Sequence, residues 1–242
     1  FGDWSSDVCS SDLPDAAAIA AHYGSVSAVT FIAATNFLSH SREGYEPYAS
    51  AFLAVMESPA IVVGILLGKA AGGGGRSQAA MTALALREAF LGRSVLLLVG
   101  SMIIGTLSGK AGMAAVQGFF VTPFQGVLAL FLLEMGMVAG RRLSDLRRIG
   151  PFLLAFGIGA PLVNGCIGVL LGKAVGLSVG GETLMGVLAA SASYIAAPAA
   201  MRLSLPDANP TLYLTSSLAI TFPFNITLGI PLYYELARRL SP

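Results

Sequence analysis

Charge is what this sequence has least of. Of 242 residues, 14 are Lys or Arg and 13 are Asp or Glu, 11% in all, against about 25% in a typical soluble domain. A soluble chain of this length covers its surface with charged side chains, so the deficit excludes an ordinary soluble enzyme. The near-equal split leaves a formal net charge of +1, with no basic surface for phosphate backbones, and excludes a nucleic-acid partner. Cysteine is nearly absent too: Cys9 and Cys166 cannot build a disulfide framework. His22 and His40 are the two histidines, too few with those cysteines for a zinc site of the usual composition, and no cofactor or resident metal is expected. No G-x-S-x-G, phosphate-binding loop or H-E-x-x-H string occurs, so the apparatus of enzymatic chemistry is missing as well.

What is present is apolar. Hydrophobic residues make up 55% of the chain and the mean hydropathy is +0.76, which points to an all-α, polytopic membrane protein whose spans each need about 20 apolar residues. Seven segments qualify, at about 15–38, 45–67, 88–107, 116–140, 149–171, 177–203 and 209–239. Four of them are interrupted. The first carries Gly24 to Ser27 in its interior, the second Glu57, Ser58 and Pro59, the sixth Ser191 to Tyr194, and the seventh Pro223 and Asn225. The three between are plain and are expected to be joined by short polar loops. The seventh is longer than a membrane needs, so Pro223 and Pro231 are expected to kink it. Asn209 before Pro210 reads as its start, an Asn cap with proline at the first helical position.

Residues 1–13 are Ser- and Asp-rich, lack the basic start and apolar run of a signal peptide, and are expected to be a non-native leader. Residues 14–70 then form the end of a first repeat with two broken helices, residues 71–86 a linker containing Gly72 to Gly75, and residues 87–242 a second repeat of five helices. Basic residues in the linker and after the fourth segment, Arg141, Arg142, Arg147 and Arg148, place both on the cytoplasmic side. Arg238 and Arg239 run against that bias.

The division into repeats rests on one spacing. Ser25 and Ser27 recur as Ser191 and Ser193, 166 residues on, and the same offset carries Glu57 and Pro59 onto Pro223 and Asn225. Interrupted helices at corresponding positions of two repeats are the sequence pointer to a secondary-transporter site. Three plain segments precede the broken pair in the second half and none in the first, so three helices are expected to be absent from a ten-helix protein with five per half. An odd number per half inverts one repeat relative to the other.

An unwound stretch inside a membrane persists only where it faces protein or a wet cavity. After each Ser-x-Ser break a half-helix is expected to start, near Val26 and near Tyr194, with its positive dipole end toward the midplane. A small anion then needs no Arg or Lys, and the hydroxyls of Ser25, Ser27, Ser191 and Ser193 can donate to it or offer oxygens to sodium. The competing reading is that these serines only permit close helix packing or bond the preceding turn. Glu57 is the carboxylate nearest the middle of a segment in the first half, a candidate for coupling-ion coordination or proton exchange, or a protonated packing residue. Asn225, its near-counterpart, offers an amide oxygen, and Thr221 lies close by. His22, just before the first break, is either a pH-sensitive gate or the partner of a local carbonyl.

The stretches AAIAAHYGSVSAVTF, YASAFLAVMESPAIVVGIL, LALFLLEMGMVAGRRL and VLAASASYIAAPAAMRLSLPDANPTLYLTSSLAITFPFNITLGIPLYYELARRL resemble the SbtA family of sodium-dependent bicarbonate transporters. The resemblance covers nearly everything after residue 14. It implies a ten-helix, 5+5 inverted-repeat symporter of the bacterial inner (plasma) membrane, commonly a homotrimer. Bicarbonate and sodium would bind where two broken helices cross, and a small cytoplasmic regulator is a possible partner besides the lipid bilayer. Carried over, the substrate-binding positions are Gly24, Ser25, Val26 and Ser27 with Ser191, Ala192 and Ser193, and the ion-coupling positions are Ser27, Glu57, Ser191, Tyr194 and Asn225. Cyanobacterial members carry aspartate where this chain has Tyr194, and another near the position of Glu57. Two other functions stay open on the residues alone: a proton-coupled carrier of another small anion or monocarboxylate, and a membrane receptor that binds an anion without moving it.

Overall fold

The computed structural model describes residues 4–57, 59–71, 87, 93–142 and 150–241. Among them the regular elements are all helices, as a chain with no water to satisfy open strand edges requires. The expected linker at 71–86 falls almost wholly outside the described residues, as do Ser58, Arg147 and Arg148. The helices are α1 (Trp4–Gly24), α2 (Ala28–His40), α3 (Ala49–Glu57), α4 (Pro59–Ala71), α5 (Arg93–Phe120), α6 (Phe124–Arg142), α7 (Pro151–Ala174), α8 (Val179–Ala190), α9 (Ala196–Ser204) and α10 (Pro210–Leu240).

Among the described residues six stretches are long and apolar enough to cross a membrane: Leu13–His40, Ala49–Gly68, Val99–Phe120, Phe124–Arg142, Pro151–Ala174 and Pro210–Leu240. The sixth sequence segment is not among them because its break divides it into α8, of 12 residues, and α9, of 9.

One expectation about the plain segments is refined. The polar loop expected between the third and fourth segments narrows to a single residue: the helix of the third segment stops at Gly109 (φ 60°, ψ −161°), a non-helical conformation that costs a glycine little, and a second helical stretch carries α5 on to Phe120. Ala111, Met113, Ala114 and Ala115 are good helix formers and continue it. In the seventh segment each proline expected to kink the helix is preceded by a widened turn. α10 is one helix with two wide π-helical stretches, Thr215–Thr221 and Asn225–Gly229. Each ends two residues before a proline, Pro223 and Pro231. A proline has no N–H and crowds the carbonyl four residues back, and a widened turn accommodates both defects without breaking the rod. The start at Asn209 is as expected, its side chain accepting from Thr211 N at 3.0 Å.

α7 and α8 form an antiparallel hairpin, turned by Gly176 at φ 81°. A Cβ at Gly168 would lie 2.7 Å from the Met185 carbonyl oxygen and 2.9 Å from Gly186 Cα, so these two backbones approach as closely as glycine allows. α10 and α2 pack on the other sides of α8, and α1 runs along α4. One cluster gathers Leu38, Leu184, Leu188 and Tyr233, and a second gathers Ala18, Ile65, Met201 and Tyr213. α5 and α6 instead turn large apolar side chains outward, Leu107, Phe119 and Leu130 among them, a surface that suits lipid. The polar residues are inside: Thr215, Ser216, Ser217, Thr221 and Asn225 on α10 are all buried.

Candidate binding site at the helix breaks

The first break follows from its local sequence. α1 ends at Gly24, where a Cβ would lie 2.7 Å from that of Ala60, so the end of the helix is pressed onto α4. Ser27 is extended (φ −113°, ψ 115°) and caps α2, its Oγ accepting from Thr30 N at 3.1 Å. Thr30 Oγ1 donates to the same oxygen at 3.0 Å, and Ser27 Oγ donates to Tyr194 OH at 2.7 Å. One proton given and two accepted use the full capacity of a hydroxyl. The second break opens after Ala190. Ser191 Oγ donates back to Leu188 O at 2.8 Å, and Ser193 Oγ accepts from Ala197 N at 3.1 Å in the first turn of α9. The half-helices thus begin at Ala28 and Ala196, two residues beyond the expected Val26 and Tyr194: Ser27 is itself the cap of α2, and at α9 the N-cap is Ile195, with Ser193 Oγ receiving the Ala197 amide from two residues farther back.

The breaks cross in contact. Ser27 N donates to Ser191 Oγ at 2.9 Å, and Ser193 N donates to the carbonyl of His22 at 2.8 Å. Ser25 Oγ donates to the carbonyl of Glu57 at 2.6 Å, which brings the junction of α3 and α4 to the same place. Val26, Ser27, Glu57, Ser193, Tyr194 and Ala196 line a cavity of about 220 Å³ there. A cleft of about 300 Å³ beside Phe37, Leu128, Leu132 and Ile230 lies apart from the breaks and is mostly apolar.

The expected residues therefore divide. Ser27, Ser193, Tyr194, Glu57 and Val26 face the cavity. Ser25 and Ser191 hold the crossing together, Gly24 is a packing contact, and Ala192 is buried in the break. Asn225 lies behind it: Nδ2 donates to Ala190 O at 2.8 Å, satisfying a carbonyl that the end of α8 leaves without a helical partner. Its Oδ1 is buried and has no partner among the described residues. His22 is fully buried, with Nδ1 on Ala18 O at 2.6 Å and the ring 4.5 Å from that of Tyr213. It acts on the crossing through its main chain.

Sequence reasoning missed Tyr23, Thr30 and Ser217. Ser217, Thr221 and Asn225 recur every four residues, a polar stripe along one face of an apolar helix, and that period is the signal that would have found Ser217, whereas Tyr23 and Thr30 belong to no such pattern.

A family model described as the Na+-dependent bicarbonate transporter superfamily matches residues 6–238. No match is found among curated proteins. The match spans nearly the whole chain, which therefore belongs to this transporter superfamily and is a multi-pass membrane protein.

Proposed function

We propose that this chain moves bicarbonate, or a closely related small anion, together with sodium across the plasma membrane as a secondary active symporter. The supporting observation is the cavity at the crossing of the two breaks, where the first turns of α2 and α9 and the Glu57 carboxyl line one space. At a liquid share of about 30 Å³ per water, its volume suits a small anion with several waters. The anion is held by amides at the start of α2, those of Ala28 and Val29, which have no intrahelical acceptor, and by the hydroxyl of Ser193, whose proton remains available when it accepts from Ala197 N. Among the described residues neither Lys nor Arg lines the cavity, and the anion's charge is balanced by helix ends and a co-bound cation. Glu57 supplies the negative charge for that sodium. Ser27 and Tyr194, bonded to each other here, release two oxygens toward it when they part, and Ser191 and Asn225 lie close to the same crossing.

Coupling then has a physical form: anion and cation neutralise each other in a site that holds either one poorly alone. The reciprocal bonds between the breaks, one from each to the other, support an arrangement of two inverted repeats that rock about this point.

The test is radiolabelled bicarbonate uptake into vesicles with and without an inward sodium gradient. Uptake that rises with the gradient is expected, and equal uptake under both conditions overturns sodium coupling. Burial of Glu57 at the cavity wall favours one alternative, proton exchange at that carboxyl, which predicts transport driven by a pH gradient with no sodium present.

A further inference from the structure

α7 contains Pro161. Proline has no N–H, so the carbonyl four residues earlier, that of Gly157, loses the helical hydrogen bond it would otherwise receive. In a membrane interior no water replaces that bond. The carbonyl is instead met from another helix: Thr221 Oγ1 donates to Gly157 O at 2.6 Å. The approach depends on the glycine, since a Cβ at position 157 would lie 2.9 Å from Ile220 Cγ2, beside Thr221. Thr221 closes the first π stretch of α10, so three backbone irregularities, a proline, a glycine and a widened turn, converge on one hydrogen bond.

That bond determines the direction of the next. Thr221 has one hydroxyl proton and gives it to Gly157, so the 2.7 Å contact between Thr221 Oγ1 and Tyr23 OH is a donation from the tyrosine. Tyr23 is 8% exposed and is the penultimate residue of α1, two positions before Ser25. Its ring also packs edge-on against Phe156 of α7, with centroids 4.8 Å apart. A directed relay therefore runs from Tyr23 OH through Thr221 Oγ1 to Gly157 O and joins the end of α1 to both α10 and α7.

We infer that Thr221 is a positioning residue: through Tyr23 it fixes where α1 ends, and so sets the placement of the first break against α7 and α10. It does not line the cavity. Ser193 N to His22 O ties the neighbouring residue of α1 to the second break, so His22 and Tyr23 register the first break from two sides, one through the main chain and one through a side chain. The effect on transport rests on the reading proposed above, but the relay itself can be tested without it.

The experiment compares the wild type with Thr221→Val, Thr221→Ser, Tyr23→Phe and Pro161→Ala. Each is the full chain reconstituted in lipid nanodiscs for hydrogen–deuterium exchange and in vesicles for bicarbonate uptake. Valine keeps the shape of threonine and loses the hydroxyl, whereas serine keeps the hydroxyl. Tyr23→Phe leaves the bond to Gly157 intact and breaks only the link to α1, which secures the test if the valine variant does not fold. Pro161→Ala keeps the side chains of the relay and supplies Gly157 O with a helical N–H that competes with Thr221 Oγ1.

Exchange of the amides over residues 24–30 is expected to rise about tenfold in Thr221→Val and Tyr23→Phe, the equivalent of one buried hydrogen bond. It should return to wild type in Thr221→Ser and rise by a smaller factor in Pro161→Ala. In uptake, KM should rise with Vmax little changed. Wild-type exchange in both Thr221→Val and Tyr23→Phe overturns the proposal, as does a serine variant that behaves like the valine one. Unchanged exchange in Pro161→Ala overturns the role of the proline. If the exchange pattern appears but the wild type carries no bicarbonate, the relay stands and the transport reading fails.

Discussion

The amide of Ser193 donates to the carbonyl of His22 across 2.8 Å, joining the unwound second break to the last turn of α1, 171 positions away in the chain. Neither group has a partner within its own helix: His22 lies a turn before the end of α1, and Ser193 stands inside the second break. Each break satisfies what the other leaves open, so neither is a stable structure alone. The opposite bond, Ser27 N to Ser191 Oγ at 2.9 Å, completes the exchange.

Ser191→Ala should destabilise the crossing. It leaves the buried Ser27 N–H without its acceptor, at a cost of about 1–3 kcal/mol. The expected result is a lower melting temperature for the detergent-solubilised protein, restored by Ser191→Thr, which keeps the hydroxyl. An unchanged melting temperature in the alanine variant would remove Ser191 from the crossing.

Ser27→Asp separates capping from anion binding. Aspartate is as good a helix cap as serine, while Ser27→Ala is expected to cost about 1 kcal/mol of stability. The aspartate variant keeps the cap acceptor but buries a charge, so it too should melt below wild type, and it should abolish anion uptake where Ser27→Ala only weakens it, because it places a carboxylate beside the amides that hold the substrate. Retained uptake in Ser27→Asp would place the anion elsewhere.

Glu57→Gln keeps the size of the side chain and removes its charge. Under sodium coupling, the sodium concentration for half-maximal uptake should rise at least tenfold, with Glu57→Asp intermediate. A sodium titration of uptake in vesicles decides it, and a curve superimposable on wild type would exclude Glu57 as the cation's counter-charge.

Asn225→Asp turns a donor into an acceptor opposite the Ala190 carbonyl, where Nδ2 now donates at 2.8 Å. Two oxygens facing each other should be worse than none, so the aspartate variant is expected to be less stable than Asn225→Ala by about 1–3 kcal/mol. Thermal unfolding of the two variants side by side measures the difference, and the reverse order would show that the amide does not face that carbonyl.

Gly168→Ala should lower the melting temperature by forcing α7 and α8 apart, since the added methyl meets the Met185 carbonyl and Gly186 Cα, both main chain and unable to rotate away. Overpacking of this kind costs about 1–3 kcal/mol. Gly118→Ala on outward-facing α5, where nothing lies within 4 Å of the added atom, is the matched control and should be neutral.

Much of this was legible in the chain itself. Low charge and long apolar runs identify the spans, and the serine pairs at 25 and 27 and at 191 and 193 mark where two of them unwind. Asn209 and Pro210 announce α10 through a local cap. The loop expected after the third segment is confined to Gly109, because the alanines and methionine that follow Ser108, Lys110 and Gly112 favour helix. The prolines of α10 suggested interruption, and the residues before them answered with π turns.

Hydropathy and local capping act over a few residues, so the sequence by itself determined that this is a helical membrane protein, where α10 begins and where two of its spans break. Contact between the breaks, the saturation of the Ser27 hydroxyl by Thr30 and Tyr194, and the joining of Tyr23, Thr221 and Gly157 depend on hydrogen bonds between residues up to 198 positions apart. No local pattern encodes such pairs. Only the tertiary structure decided them, because an unwound backbone in lipid must find its partners wherever another helix has left a group unpaired.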